Sequence, residues 1–137
     1  MRPKNITPAL LLGMLSACAN QQLQKPPREQ ILFENIALAI CLGTAAEHAS
    51  EKDDFSRSAM GYFERSHFSP EVLEHIRSIS AEWLNKNYVS KQGGSLESMK
   101  CIDMLRSDNL RALYEELTPC KSAAGLLDTL DYAEACN

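Results

Sequence analysis

Apolar residues recur along most of this chain at the three- and four-residue spacing of α-helices. Between about residues 29 and 49 they point almost all round the helix, which is typical of a helix at the centre of a bundle. A second helix is predicted over about residues 50–67. Ser69 and Pro70 then suit the N-cap and the first position of a third helix, which extends to about residue 87.

The second half of the chain contains a polar break followed by shorter helical segments. Residues 88–94 include two adjacent glycines, which favour neither helix nor strand, so we predict an exposed, mobile loop. Helices are predicted over residues 96–107 and 108–117, and residues 121–137 have helical spacing interrupted by Gly125. Because no alternating pattern of useful length occurs, the sequence predicts an all-α bundle of about five to six helices.

The helix over residues 96–107 combines a broad apolar surface with a carboxylate. Its apolar positions are Leu96, Met99, Cys101, Ile102 and Leu105. These positions sweep over more than half of the helix circumference, so we expect packing to cover most of it. Asp103 falls inside this apolar sector, where a carboxylate is costly unless it is paired. We therefore expect Asp103 to be a structural carboxylate tied to Lys100, to Arg106 or to a helix N-terminus at Asn109.

The N-terminal residues have the pattern of an export signal. Arg2 and Lys4 precede an apolar run that is too short to span a bilayer as a permanent helix. The run ends in the sequence LSAC, which resembles the lipobox of bacterial lipoproteins. Residues 1–17 are thus predicted to be a lipoprotein signal peptide and Cys18 the lipidated N-terminus, with an ordinary signal peptide as the alternative.

The residues that follow Cys18 bear on location and domain organisation. Ala19, rather than an aspartate, comes next, and by resemblance to Gram-negative lipoproteins this favours anchoring in the outer membrane, facing the periplasm. Residues 18–30 are polar and contain two prolines, so they are predicted to form the lipidated N-terminus and a flexible tether. Residues 31–137 then make one helical domain.

The charge of the mature chain argues against nucleic acid as a partner. The whole sequence has 14 basic and 18 acidic side chains. Removal of residues 1–17 takes away Arg2 and Lys4 and leaves 12 basic against 18 acidic side chains, a formal charge of −6. A nucleic-acid-binding domain would instead present a basic face.

Four cysteines remain besides Cys18, and in an exported chain an even number implies disulfides, with three possible connectivities. Cys41 and Cys101 lie on helices expected at the centre, so a bridge between them would join two core helices. Cys120 can reach Cys136 only if the tail folds back, because a straight helix would hold them about 20 Å apart. We favour the pairs Cys41–Cys101 and Cys120–Cys136; with a straight tail the last two would bridge elsewhere or stay unpaired.

The sequence contains no recognisable catalytic or metal-binding motif. The three histidines are His48, His67 and His75, and none lies in a zinc-binding frame. A cysteine–histidine nucleophile would need a free thiol, whereas export favours oxidised thiols. Asp103 with Glu97 or Asp108 could form an acid/base pair, but the structural carboxylate is the favoured interpretation. We therefore predict no catalytic residue, metal or cofactor, and a small helical bundle of this kind favours a binding function.

One segment resembles a known family. The sequence MKCID at residues 99–103, followed by RS at 106–107 and Leu110, resembles the hallmark of the immunity proteins for type VI secretion peptidoglycan amidases, family 4. Cys41 corresponds to a cysteine on the central helix of that family, and the stretch WLNKNY at residues 83–88 also matches. The resemblance covers roughly residues 35–117, whereas the tail with its two cysteines departs from the pattern. The lipobox is also less usual there than a plain signal peptide.

The resemblance implies an all-helical periplasmic protein, usually a homodimer, that binds and blocks a papain-like cell-wall amidase injected by rival cells and has no enzymatic activity. We hypothesise that six loop residues enter the active-site cleft of the amidase: Tyr88, Val89, Ser90, Lys91, Gln92 and Gly93. Exposed residues of the third helix would contribute elsewhere, namely Glu74, Arg77 and Glu82. The structural motif formed by Lys100, Cys101 and Asp103 would keep the core rigid.

Two functions of other classes compete with this one. An envelope lipoprotein with a structural or adaptor role and no toxin partner is equally compatible with the lipobox and tether. An enzyme that uses a cysteine–histidine pair would be sensitive to thiol alkylation in its oxidised form. A small amidase encoded beside the gene would favour the immunity function.

Overall fold

Six α-helices and one 3-10 turn make up the regular structure of the computed structural model, which describes residues 26–121 and 129–137. The elements are α1 (Arg28–Ala45), α2 (Ala49–Phe63), α3 (Glu71–Leu84), α4 (Glu97–Met104), α5 (Asp108–Leu117), the 3-10 turn (Pro119–Lys121) and α6 (Thr129–Cys136). The described residues contain a single isolated β-bridge and no strand. The all-α prediction is confirmed. Residues 1–25, including Cys18, and residues 122–128, including Gly125, lie outside the described residues.

The first helix is central, as its all-round apolar pattern predicts. α2, α3, α4 and α6 all pack against α1. Its buried side chains include Phe33, Ile36 and Cys41. Helices α2 to α5 begin and end within four residues of their predicted bounds. The second helix, for example, ends at Phe63, four residues earlier than expected, and the Ser66 hydroxyl donates a hydrogen bond to the Phe63 carbonyl.

A buried carboxylate joins the start of α1 to the connection between α2 and α3. Glu29 is fully buried. Its carboxylate accepts a hydrogen bond from the backbone N–H of His67 at 3.0 Å and lies 2.9 Å from Nδ1 of the His67 ring. Phe33 packs on Phe68 and Tyr114, each with ring centroids 5.4 Å apart. These contacts place the start of α1 beside the start of α3 and the second half of α5.

Two disulfides close the bundle, and they are the pairs that the sequence favoured. Cys41 and Cys101 join α1 to α4, with both residues fully buried and their Cα atoms 5.6 Å apart. Cys120 and Cys136 join the 3-10 turn to α6, also with 5.6 Å between Cα atoms, so the tail does fold back. An ion pair of 3.0 Å between Arg28 and Glu134 holds α6 against the start of α1.

The helix directions separate two ends of the molecule. The tether end holds the start of α1, the start of α3 and α6, as the contacts of Glu29, Phe33 and Arg28 show. From there α3 runs for 14 residues, about 21 Å, to Leu84. The carbonyl of Leu84 contacts α4, which the disulfide joins to the second half of α1. Residues 85–96 therefore lie at the opposite end, the hairpin end.

Candidate functional site

The predicted loop is an exposed segment with internal hydrogen bonds. Residues 88–96 form a small hairpin, in which the N–H of Leu96 donates to the carbonyl of Tyr88 at 3.2 Å. Val89 and Ser95 form an antiparallel bridge, and the N–H of Ser90 donates to the carbonyl of Gly94 at 3.1 Å. Residues 91–95 are exposed, as expected from their composition. The segment thus projects from the bundle with a defined base and tip.

The two glycines make the tip of the hairpin possible. Gly93 has φ +87° and Gly94 has φ +85°, both in the left-handed region where residues with a Cβ are strained. The N–H of Gly93 donates to the carbonyl of Ser90 at 3.0 Å, which closes the turn. The glycines that break the helical pattern in the sequence are therefore the residues that allow the chain to reverse.

All six residues predicted to contact a partner lie on this hairpin. Val89 is 63% exposed although it is apolar, and Lys91 and Gln92 are exposed at the tip. Ser90 is half-buried, and its hydroxyl accepts a hydrogen bond from the N–H of Gln92 at 3.1 Å. Tyr88 is half-buried at the base. The hairpin therefore offers a partner one apolar side chain, one cation and several hydrogen-bonding groups.

Tyr88 is also the partner of Asp103. Partial desolvation raises the pKa of Tyr88 above its usual 10.0, and its hydrogen bond with Asp103 and the negative charge of that carboxylate raise the pKa further. Since Asp103 lies on α4, this contact joins the base of the hairpin to that helix. Asp103 is thus a paired carboxylate as expected, but its partner comes from the hairpin and not from the neighbouring turns of its own helix.

Lys100 makes contacts that the sequence analysis did not predict. Its side chain is 5% exposed, and its Nζ donates to the backbone carbonyl of Leu84 at 2.7 Å. Nζ also lies 3.1 Å and 3.3 Å from the two carboxylate oxygens of Glu97. Lys100, one of the three partners considered for Asp103, therefore binds other groups. The ammonium instead satisfies a carbonyl at the C-terminal end of α3, where such groups lack intrahelical donors. The three-residue spacing of Glu97 and Lys100 is the signal in the sequence that could have indicated their pairing.

The pKa of Glu97 is lowered from its usual 4.5 by its contacts at the start of α4. The Ser95 hydroxyl donates a hydrogen bond to this carboxylate and has the largest effect, followed by the hydrogen bond from Lys100. Ser95 therefore links the end of the hairpin to the first residue of α4. The N-cap position of α4 itself is held by Leu96.

The buried surface of α4 is narrower than the spacing of its apolar residues predicts. Met99 is 50% exposed and Ile102 is 45% exposed, so the expectation that packing covers them is wrong. The buried residues of α4 are Lys100, Cys101 and Met104. The helix is only eight residues long, and α1 and α3 are the elements it packs against, so its opposite side remains exposed.

The other candidate residues are dispersed. Glu74, Arg77 and Glu82 are exposed on α3, and Glu74 forms an ion pair with Arg77 three residues on.

Across residues 26–121 and 129–137, no three histidine, cysteine, aspartate or glutamate side chains are grouped so that they could hold a metal ion. In the same part of the chain no helix has both the length and the apolar character needed to cross a bilayer. The hairpin with its base on α4 is the candidate site.

The comparison with known families matches a large part of the chain. Residues 31–114 match the family model Tai4, described as a type VI secretion system (T6SS) amidase immunity protein. The matched range contains most of α1, all of α2 to α4 with the hairpin, and most of α5, and it excludes α6 and the Cys120–Cys136 disulfide. No curated protein sequence matches this chain.

Solved effector–immunity structures contain similar chains. A chain in the Tae4/Tai4 system from Salmonella typhimurium, selenomethionine variant, is 26% identical with a TM-score of 0.62, over 66% of this chain and 89% of that chain. Chains in two more complexes are each 25% identical with a TM-score of 0.59, over 71% of this chain and 97% of that chain. One is Tae4 from Salmonella typhimurium with Tai4 from Enterobacter cloacae, and the other is Tae4–Tai4 from Enterobacter cloacae. The chain belongs to the family of type VI secretion system amidase immunity proteins.

Proposed function

We propose that this chain is a periplasmic immunity protein that binds and inhibits a peptidoglycan amidase delivered by type VI secretion, and so protects the producing cell and its kin. The family match over residues 31–114 is the observation that carries this proposal. The similar solved structures are complexes between Tae4 effectors and Tai4 immunity proteins, which supports a Tae4-like, papain-like Cys/His amidase as the partner. The protein would act by binding alone and would have no enzymatic activity of its own.

The hairpin is the proposed contact with the active-site cleft of the amidase. Its tip projects from the bundle and is exposed, which suits insertion into a concave site. Its internal hydrogen bonds reduce the conformational freedom lost on binding, which favours affinity. Residues Glu74, Arg77 and Glu82 on α3 would contribute outside the cleft. The acidic charge of the mature chain would raise the rate of encounter with a basic effector.

Replacement of Tyr88–Gly93 by an equal-length glycine/serine segment tests this assignment. We expect inhibition of a cognate Tae4-like amidase to weaken at least about 30-fold, because interface hot spots contribute about 2 kcal/mol or more. The matched control is a glycine/serine replacement of exposed Lys52, Asp53 and Asp54 on α2, which should leave inhibition unchanged. Peptidoglycan hydrolysis and the midpoint of thermal unfolding are measured for each variant.

Three outcomes separate the proposals. Loss of inhibition only in the hairpin variant supports both the function and the site. Undiminished inhibition in that variant would overturn the hairpin assignment and leave the function standing. Failure of the unmodified protein to bind the amidase or to protect cells would overturn the immunity function and favour an envelope lipoprotein with a structural or adaptor role.

Anchoring and self-association complete the proposal. The LSAC sequence supports lipidation of Cys18 and retention in the outer membrane, although these residues lie outside the described part of the chain. Cys18→Ser should then move the protein from the membrane fraction to the soluble periplasmic fraction. Family membership supports a homodimer, so the mature soluble domain should show twice the chain mass by light scattering. A monomer at all concentrations used in the inhibition assay would contradict that part of the proposal.

A further inference from the structure

One turn of α4 contacts both the end of α3 and the base of the hairpin. The side chain of Lys100 reaches the carbonyl of Leu84, the last residue of α3 before the chain leaves towards the hairpin. The carboxylate of Asp103 lies close enough to the hydroxyl of Tyr88, the first hairpin residue, to raise the pKa of that hydroxyl. These two residues of α4 therefore contact the chain at the points where α3 ends and where the hairpin begins.

The same turn is held to the bundle and to the end of the hairpin. Cys101 lies between Lys100 and Asp103 and is bonded to Cys41 of the central helix, fully buried. The hairpin ends at Leu96, whose N–H donates to Tyr88, and α4 begins at the next residue. The hairpin is thus attached at its start and at its end to one helical turn, and that turn is covalently joined to α1.

We propose that Lys100, Cys101 and Asp103 are positioning residues that set the orientation of the hairpin for binding, an inference that rests on the proposed inhibitory function. In this arrangement α4 is the support that carries the hairpin, and the disulfide transmits the rigidity of α1 to it. These three residues need not touch the amidase. The motif over residues 99–103 and the hairpin before it then act as one unit, because the motif holds the base and the hairpin supplies the contacts.

The loss of affinity depends on how often the unsupported hairpin adopts the orientation that binds. A hairpin without its support samples several orientations, and the apparent dissociation constant rises by the inverse of the fraction that can bind. If one orientation in about ten is competent, affinity falls about 10-fold. The loss arises in the unbound protein, so it accompanies faster opening of the hairpin even when no amidase is present.

Asp103→Ala tests the inference with the mature domain. We expect inhibition of the amidase to weaken about 10-fold, and hydrogen exchange of the Leu96 and Ser90 amides in the unbound protein to accelerate at least about 10-fold. Asp103→Asn should restore much of both properties, since its amide oxygen still accepts a hydrogen bond from Tyr88. Asp54→Ala removes an exposed carboxylate of α2 and is the charge-matched control. Exchange at Ile36 on α1 should not change in any variant.

The tyrosine titration and the exchange data decide between positioning and a purely structural role. Removal of the Asp103 charge should lower the pKa of Tyr88 towards 10.0, which NMR of the tyrosine ring detects. Unchanged exchange at Leu96 and Ser90 in Asp103→Ala would overturn the inference, and so would faster exchange with undiminished inhibition. A variant that only lowers the thermal midpoint, with exchange accelerated equally at Ile36, would show a general loss of stability and also overturn it. If the glycine/serine hairpin replacement inhibits fully, the proposed site itself fails, a result distinct from all of these.

Discussion

Glu97 lies between two hydrogen-bond donors at the start of α4, the Ser95 hydroxyl and the Lys100 ammonium. Both donors favour the ionised carboxylate, so the pKa of Glu97 in the folded protein is below its usual 4.5. A carboxylate with a lowered pKa in the folded state stabilises the fold above its unfolded pKa. That contribution is lost as the pH falls through the folded pKa.

Glu97→Gln should therefore destabilise the protein at pH 7 and have little effect at low pH. The expected loss at pH 7 is less than about 1 kcal/mol, because the carboxylate is partly exposed. It should fade as the pH falls below about 4.5. Denaturant unfolding at several pH values measures it, and Glu51→Gln in the first turn of α2 is the control for a first-turn acid. A loss that is the same at pH 7 and at about pH 3 would contradict this origin.

Individual side chains show where sequence reasoning stops. The need for Asp103 to have a partner follows from its place among apolar positions, and the carboxylate does interact with another side chain. Its partner Tyr88 lies on another element, as does the Leu84 carbonyl that Lys100 contacts. A helical wheel describes only neighbours on the same helix, so it could suggest Lys100 for Asp103 but not the groups that folding brings from elsewhere.

At the scale of elements, α4 buries fewer of its apolar residues than their spacing along the helix predicts. Its apolar residues occupy most of the wheel, yet the described neighbours cover only the side that carries Cys101 and Met104. The periodicity predicts the helix itself well, since local spacing sets the helical state. Which apolar positions become buried depends on how many elements pack around the helix, and spacing within the helix does not contain that information.

Substitutions on the two sides of α4 should therefore differ in their cost. Met104→Ala should lower the free energy of unfolding by about 2–5 kcal/mol, because it removes a fully buried side chain. Ile102→Ser should change it by no more than about 0.5 kcal/mol, because nearly half of Ile102 is exposed to solvent. Denaturant unfolding of the mature domain measures both. Equal losses in the two variants would show that Ile102 is buried in solution.

At the scale of the whole molecule, the two disulfides serve different parts of the fold. The Cys41–Cys101 bridge spans 60 positions and lies inside the family-matched region, where it joins α1 to the helix below the hairpin. The Cys120–Cys136 bridge spans 16 positions and closes the tail at the tether end, outside that region. Both pairs could be favoured from the sequence, because export, helix placement and the length of the tail limit the choices. The geometry of the hairpin could not be predicted from the sequence, because it depends on backbone hydrogen bonds and on the contacts of α4.

Removal of each bridge should have separable effects. In the chain-entropy description, Cys41→Ala with Cys101→Ala costs about 4 kcal/mol of stability, and Cys120→Ala with Cys136→Ala costs about 3 kcal/mol. Inhibition of the amidase should persist at temperatures where the second variant is folded, because α6 lies at the end away from the hairpin. Unfolding curves and inhibition assays give the two readouts. Loss of inhibition in a folded Cys120/Cys136 variant would show that the tail contributes to binding.

If Cys18 is lipidated as proposed, the placement of the start of α1 and of the hairpin at opposite ends of the bundle sets how far the hairpin reaches from the membrane. With Cys18 in the membrane, the ten residues 18–27 extend at most about 35 Å, and α1 adds about 27 Å along its length. The hairpin would then reach any height up to roughly 60 Å above the bilayer surface. An amidase bound to the hairpin would be held on the side of the inhibitor that faces away from the membrane, between the inhibitor and the cell wall that the amidase degrades.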